Sequence, residues 1–338
     1  MWFSPRTAMT KQRLFNWFVG PRGDGKTTGS RNYAIEMWEK YAEKNEPYQI
    51  GIIRRRKNEM LETERTFFDT CPRFGFNYQF KKADGHWWTI NGDPAFKFFA
   101  LSTDARIKGA GYDNIKLLIF DEFMVDPTKD RYLPDEVNTF LKLYDTIARP
   151  SDPTRGRVPV IFLGNAETIN NPYFDFFHIS FAMGKNIFMN KTLYAELIQD
   201  EEFTEAAMAT EFAEAIKNTS YAAHSIQNQF IRDNYTFVDP KREKGEFLFT
   251  IFINGRKYGV WVNWKEGTLY ICSAYNPNST FNYIFTREDM QPNVLTSKRF
   301  KTTFHGKLVK DCYNGASIWF DNIKTKQDFM DIARLANL

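Results

Sequence analysis

Apolar positions in the first half of the chain come as short continuous runs separated by helical stripes. Leu14 to Val19 is an apolar run that enters a Gly-rich turn, which predicts a buried strand. Lys26 to Tyr41 then sets Tyr33, Met37, Trp38 and Tyr41 on one face of a helix. Tyr48 to Ile53 predicts a second strand. From Phe74 to Ser102 three short aromatic segments are split by Ala83-Asp84-Gly85 and Asn91-Gly92-Asp93-Pro94, the turn chemistry of a meander. Leu117 to Phe120 and Val158 to Leu163 read as further buried strands. Between them, Glu136 to Ala148 carries Val137, Phe140, Leu141 and Tyr144 at helical spacing. Strands alternating with helices predict an α/β domain.

The pattern changes near residue 189. Glu196, Asp200, Glu201, Glu202, Glu205, Glu211 and Glu214 crowd an Ala-rich stretch, which reads as a helical connector or as a solvated helix of the first domain. The basic residues Lys241, Arg242 and Lys244 follow. Strands are then predicted at Glu246 to Asn254, Lys257 to Trp264, Thr268 to Ala274 and Phe281 to Thr286. A helix near Lys298 to Tyr313, a strand at Ser317 to Phe320 and a helix near Lys326 to Ala333 complete the chain. This order describes a second α/β domain with a mixed sheet. The expected division is 1–188, a linker at 189–234, and 235–338.

Composition changes this picture little. Of 338 residues, 43% are hydrophobic and 33 are Phe, enough for packed cores in two domains. The net charge of +4, from 45 basic and 41 acidic residues, does not by itself mark a nucleic-acid binder, so local placement decides. Cys71, Cys272 and Cys312 are too scattered for a disulfide framework or a paired metal site, which fits a reducing cytosol. His86, His178, His224 and His305 form no ligand cluster. No apolar run has the length of a membrane span, and the N-terminus lacks a secretory apolar core, so a soluble protein is expected.

The chemistry concentrates in one constellation. Gly20-Pro21-Arg22-Gly23-Asp24-Gly25-Lys26-Thr27 fits the P-loop pattern G-x-x-x-x-G-K-[ST] without a mismatch. Average residue frequencies put a chance match on the order of one in a hundred. The glycines let backbone N–H groups face phosphate oxygens, and the following helix offers its N-terminus to the same anion. Lys26 is expected to neutralise β- and γ-phosphate oxygens, and the Thr27 hydroxyl to coordinate Mg²⁺. Thr28 continues the phosphate-binding turn.

Lys116-Leu117-Leu118-Ile119-Phe120-Asp121-Glu122 fits a Walker B strand. Asp121 is expected to hold Mg²⁺ and Glu122 to polarise the attacking water as general base, a group that small-molecule P-loop kinases generally do not need. Val160 to Gly164 ends in Asn165, a candidate contact for the γ-phosphate or the lytic water, or else a turn Asn. Arg149 closes the Glu136 helix before Pro150. It reads either as a cation favoured by the helix dipole or as an arginine finger for a neighbouring subunit. Arg54-Arg55-Arg56-Lys57 places four cations at a strand end, where they are expected to face solvent or the phosphates of DNA.

With these residues in view, the sequence resembles the DNA-packaging ATPases of small protein-primed podophages, the phi29-like group. The resemblance rests on Gly20 to Thr27, Ile119 to Phe123, Tyr132 to Pro134 with Glu136-Val137, and Asp145-Thr146 with Arg149. It extends to Gly164-Asn165-Ala166, Asn171-Pro172-Tyr173-Phe174, Asn228-Gln229-Phe230-Ile231 and Gly259 to Val262. It implies a P-loop NTPase of the additional-strand, catalytic-Glu (ASCE) type followed by an RNase H-like α/β domain. It further implies a homopentameric ring at the portal vertex of a procapsid in the host cytoplasm, with double-stranded DNA in the pore and ATP and Mg²⁺ at the site. Lys26, Asp121 and Glu122 carry over as Walker residues, and Arg149 as the trans-acting finger. Lys108 matches a basic residue at the nucleotide or subunit interface, and Lys57 a pore cation that grips DNA. The family's ring also docks on a structural packaging RNA, which makes such an RNA a candidate partner.

One departure from related large terminases is expected to matter. Their nuclease needs carboxylates converging on two metals, one of them from the middle of the first strand. Phe247 to Asn254 contains no acid, so the second domain is expected to keep the fold without cutting, consistent with genomes made at unit length. The competing readings are another P-loop translocase or helicase, and a non-hydrolysing vertex scaffold that uses nucleotide only as a structural ligand.

Overall fold

The computed structural model describes residues 3–104, 111–125, 130–149, 152, 156–165, 171–181, 185–198, 209–211, 236–292 and 294–336. These form two compact units, one made of the described residues up to 211 and the other of those from 236 onward.

In the first unit, strand β1 (Phe15–Gly20) is buried along its whole length and leads through the Gly-rich turn into α2 (Lys26–Ala42); a short helix α1 (Arg6–Met9) precedes it. Strand β2 (Gln49–Arg54) is followed by α3 (Lys57–Thr66). The aromatic meander is β3 (Phe80–Ala83), β4 (Trp87–Ile90) and β5 (Asp93–Ala100), with a short α4 (Leu101–Asp104) after it. Then come β6 (Ile115–Asp121), α5 (Glu136–Ala148), β7 (Val160–Asn165) and α6 (Pro172–Phe176). A hairpin of β8 (Ile187–Met189) and β9 (Leu193–Leu197) ends the unit.

These strands build one sheet in the order β3-β4-β5-β2-β6-β7-β1-β9-β8, parallel from β5 through β9. Strand β7 lies between β1 and β6, so an additional strand separates the P-loop strand from the Walker B strand, as the ASCE arrangement requires. Its register sets Asn165 opposite Gly20 and Leu163 opposite Asp121, which brings the three chemical termini to one sheet edge. Beneath that edge, Trp17 stacks on Phe162 with centroids 4.7 Å apart, and Phe120, Phe140 and Tyr173 close around them. Such aromatic packing fixes strand positions beyond what buried area alone supplies.

The expected boundary at residue 188 does not hold. Leu193–Leu197 pairs in parallel with Phe15–Val19 and so belongs to the first sheet, and most of the expected linker at 189–234 lies outside the described residues. Asn228 to Ile231 also lie outside them.

The second unit is a mixed sheet, β14-β13-β10-β11-β12-β15. Strands β10 (Glu246–Ile253), β11 (Arg256–Asn263) and β12 (Thr268–Cys272) form an antiparallel meander. Strands β13 (Asn282–Ile284) and β14 (Leu295–Thr296) run parallel on the β10 side, and β15 (Ile318–Phe320) parallel beside β12. Without β15, the order is that of an RNase H-like sheet. Alternate residues Phe249, Ile251 and Ile253 face a core shared with Phe300, Val309 and Phe329 from the helices. The single helix expected at Lys298 to Tyr313 is two: α7 (Ser297–Phe300) and α8 (Phe304–Asn314). The break is local, because the Thr303 hydroxyl accepts from Gly306 N at 3.1 Å and caps the second helix. The last helix, α9 (Ile323–Ala336), starts earlier than expected; the Asn322 side chain accepts from Thr325 N at 2.9 Å within its first turn.

Candidate nucleotide site

The loop between β1 and α2 folds as the glycines allow. Gly23 and Gly25 have φ of 89° and 83°, conformations open to glycine and strained for other residues. At Gly20, a Cβ would stand 2.3 Å from Asp24 Oδ2, so no larger residue fits beneath the loop. The Lys26 ammonium is buried and donates to Gly20 O at 3.1 Å, Pro21 O at 2.6 Å and Asp24 Oδ1 at 3.0 Å. Burial pulls its pKa below the ordinary lysine value, with the Asp24 charge opposing.

Asp121 ends β6 facing this loop. Its Oδ1 accepts from Thr27 Oγ1 at 3.1 Å, and its Oδ2 pairs with Arg54 Nη1 at 2.9 Å. Burial raises the Asp121 carboxyl above the ordinary range, and Arg54 pulls against that shift. Glu122 takes φ of 58°, a conformation uncommon outside glycine, and pairs through Oε2 with Arg54 Nη2 at 2.6 Å. Its side chain is 52% exposed.

A cleft of about 280 Å³ is lined by Arg22, Gly23, Asp24, Gly25, Lys26, Thr27, Thr28, Asp121, Glu122, Leu163, Gly164 and Asn165. The donor set fits a nucleotide phosphate with Mg²⁺: an amide cradle with a buried cation on one side, and the hydroxyl and carboxylate oxygens of Thr27 and Asp121 on the other. Arg149 is not among the lining residues. It caps α5 in a left-handed conformation, with φ of 42°. Lys108 lies outside the described residues.

A model of the podovirus DNA encapsidation protein (Gp16) family matches residues 1–335. The chain belongs to this family. Among encapsidation-protein relatives, the DNA packaging protein of Bacillus phage phi29 is 30% identical over 322 residues, which are 95% of this chain and 94% of that one. The DNA packaging protein of Bacillus phage PZA is 29% identical with the same coverage. A chain of the bacteriophage phi29 viral genome packaging motor assembly superposes with a TM-score of 0.73 at 28% identity over 99% of both chains. The crystal structure of the N-terminal domain of the phi29 DNA packaging ATPase gives 0.52 at 27% identity, over 60% of this chain and 98% of that one.

Within this encapsidation protein the basic run needs correction. Four consecutive cations were expected to face solvent or DNA. Arg54 and Arg55 are instead buried, because acidic partners lie at the same sheet edge. Arg54 spans Asp121 and Glu122, and Arg55 Nε pairs with Glu136 Oε2 at 2.9 Å. Arg56 is half-buried and pairs with Asp130 at 2.8 Å; Lys57, the first residue of α3, is exposed. Sequence reasoning missed that Arg54 and Arg55 hold the Asp121 to Phe123 segment, Arg55 together with Glu136, and that Gly164 lines the cleft. A Cβ on Gly164 would lie 2.8 Å from Phe123, so its place beside the cleft also requires glycine. The available sign was position: Arg54 ends a strand that pairs with the Walker B strand.

Proposed function

We propose that this chain is the ATP-hydrolysing subunit of a ring motor that drives double-stranded DNA into a procapsid at its portal vertex. The observation that carries this reading is the convergence of the P-loop, Asp121 and Glu122 on one cleft, in a chain that matches an encapsidation family almost from end to end. The names of its relatives, DNA packaging proteins and a genome packaging motor, support the same reading.

In this mechanism the amides of Gly23 to Thr28 and the Lys26 ammonium bind the phosphates. Thr27 and Asp121 would hold Mg²⁺, which neutralises charge on the phosphate oxygens. Glu122 accepts a proton from the attacking water once it leaves Arg54, and Asn165 orients that water or the terminal phosphate. Arg149 stabilises charge on the phosphoryl group bound to a neighbouring subunit, a role worth about 10³- to 10⁵-fold in rate where it operates. Lys108 serves the nucleotide or that subunit interface. The ring is a homopentamer, Lys57 reaches the DNA phosphates in its pore, and a structural packaging RNA is a candidate docking partner. The test is protection of DNA from added nuclease by procapsids. Protection is expected only with this protein and ATP together; equal protection without ATP would overturn the motor reading.

A further inference from the structure

Arg54 and Arg55 are neighbours in sequence, yet they engage Glu122 in different ways. Arg54 holds its side chain, whereas Arg55 holds its backbone. Arg55 Nη1 donates to Glu122 O at 3.0 Å and Nη2 to Phe123 O at 2.6 Å, while Nε faces the Glu136 carboxylate. The Glu136 side chain is fully buried at the start of α5, and both of its oxygens are engaged. Tyr173 Oη donates to Oε1 at 3.0 Å and Leu133 N to Oε2 at 2.7 Å. The Tyr132 ring covers the Arg55 guanidinium at 5.2 Å.

A buried ion pair of this kind gives little net stability compared with well-packed apolar side chains. What it supplies is direction: the planar guanidinium fixes two carbonyls and one carboxylate at set angles, which a lysine cannot do. The carbonyls it fixes are those of Glu122, the one cleft residue outside the P-loop with a positive φ, and of Phe123 after it, and such a conformation persists only where its surroundings over-determine it. Phe123 N completes the grip by donating to Leu163 O at 3.0 Å.

We infer that Arg55 and Glu136 are a positioning pair for the catalytic base, holding the Glu122 backbone in its left-handed turn and anchoring it to the first turn of α5. The inference rests on the reading of Glu122 as general base. Arg55 touches no reacting atom and acts only through where it puts that carboxylate.

The test compares full-length wild type with R55K and E136Q, each alone and combined with E122Q. Turnover is measured with duplex DNA present, and nucleotide affinity by titration with a fluorescent ATP analogue. R55K is expected to lower kcat by about 10- to 100-fold, the scale of a misplaced catalytic group, with KM and affinity within about threefold of wild type. E136Q, which keeps an acceptor oxygen, is expected to lower kcat less. Combined with E122Q, neither variant should lower the residual rate further, because a positioning residue has nothing left to position. Retention of kcat by R55K, or an equal loss in the E122Q background, would overturn the inference. If R55K does not fold, E136Q carries the same comparison. Near wild-type turnover by E122Q alone would instead remove the general-base reading, so the two failures are distinct.

Discussion

Arg54 Nη2 lies 2.6 Å from Glu122 Oε2. That ion pair occupies Oε2, so this arrangement keeps the oxygen from meeting an attacking water. The same guanidinium occupies Asp121 Oδ2, the oxygen beside the one that meets Thr27. Under the proposed function, turnover would require Arg54 to give up Glu122, whereas phosphate binding by Lys26 and the loop amides would not.

Binding and chemistry should accordingly separate by mutation. E122Q is expected to keep nucleotide affinity within about threefold and to lose about 10²- to 10⁴-fold in turnover, the usual worth of a general base. K26A should weaken binding itself. Equilibrium titration and phosphate release measured on both variants check this; a hydrolysing E122Q would refute the base assignment.

Arg149 should act across a subunit boundary, since it does not line the cleft of its own chain. R149A and E122Q subunits are each expected to be inactive alone. Rings assembled from both should recover some ATPase activity, because some interfaces then pair an intact Glu122 with an intact Arg149. No recovery in rings shown to be mixed would argue for a role in cis or for a purely structural cap.

Of the four cations after β2, Lys57 is the one proposed to contact DNA, because Arg54 and Arg55 are committed to carboxylates and Arg56 pairs with Asp130. K57E should weaken DNA binding and DNA-stimulated ATPase activity while leaving the DNA-free rate intact. It should also lower the salt slope of binding by about one phosphate contact per subunit engaged. A variant with unchanged DNA affinity and packaging would make Lys57 a solvated surface charge.

That basic run shows where the sequence was readable and where it was not. The P-loop and Walker B segments were legible because each position serves a local task, and strand and helix positions followed from apolar spacing. Arg54 and Arg55 were misread because their partners, Asp121, Glu122 and Glu136, are more than sixty residues away in sequence; strand order alone brings them together. Helix α3 was missed because it lacks an apolar stripe: Met60 and Glu64 are its only buried residues. Strand β9 was hidden by the acidic, Ala-rich composition that begins around it, although its own Leu193, Tyr194 and Ala195 are buried against β1.

Glu64 is the polar anchor of that missed helix. Its buried carboxylate accepts from Lys82 Nζ at 2.9 Å and Trp88 Nε1 at 3.0 Å, and meets His86 Nδ1 at 3.0 Å, which ties α3 to the β3–β4 hairpin. Burial alone would raise its pKa, but these hydrogen bonds outweigh burial and hold it below the ordinary value of 4.5. The folded state thus favours the ionised form. The contribution is fully present above pH 4.5 and is lost as the pH falls through the lower folded value. E64Q should therefore cost about 2 kcal/mol at neutral pH, the scale of hydrogen bonds to a charged group. Denaturant unfolding of wild type and E64Q should give a difference that narrows in acid; a pH-independent difference would assign the loss to packing.

The second unit should not cut DNA. A two-metal nuclease needs several carboxylates free to converge on the metals, one from the centre of its first strand. Strand β10 carries only Glu246, at its exposed start, and its central Thr250 is buried. The nearby acids are occupied by structural partners. Asp328 is buried and paired with Lys324 at 2.7 Å while accepting from Tyr258. Asp321 accepts from Ser273 N at 2.9 Å and from the Thr325 hydroxyl, and Asp289 accepts from Gly255 N at 2.9 Å. Basic and aromatic side chains meet beside them: Arg242, which also pairs with the exposed Glu266, stacks on Trp319 with its guanidinium carbon 4.5 Å from the ring centroid, and Lys244 lies 5.6 Å from that of Trp261. Such a surface suits phosphate binding, which needs cations and planar faces but no metal. The purified full-length chain should therefore leave linear and circular duplex intact in Mg²⁺ or Mn²⁺, and R242E with K244E should weaken nucleic-acid binding in a salt-sensitive way. Metal-dependent cleavage that copurifies with the chain and disappears in D321N or D328N would reverse this conclusion, because it would show those carboxylates leaving their present partners to hold metal.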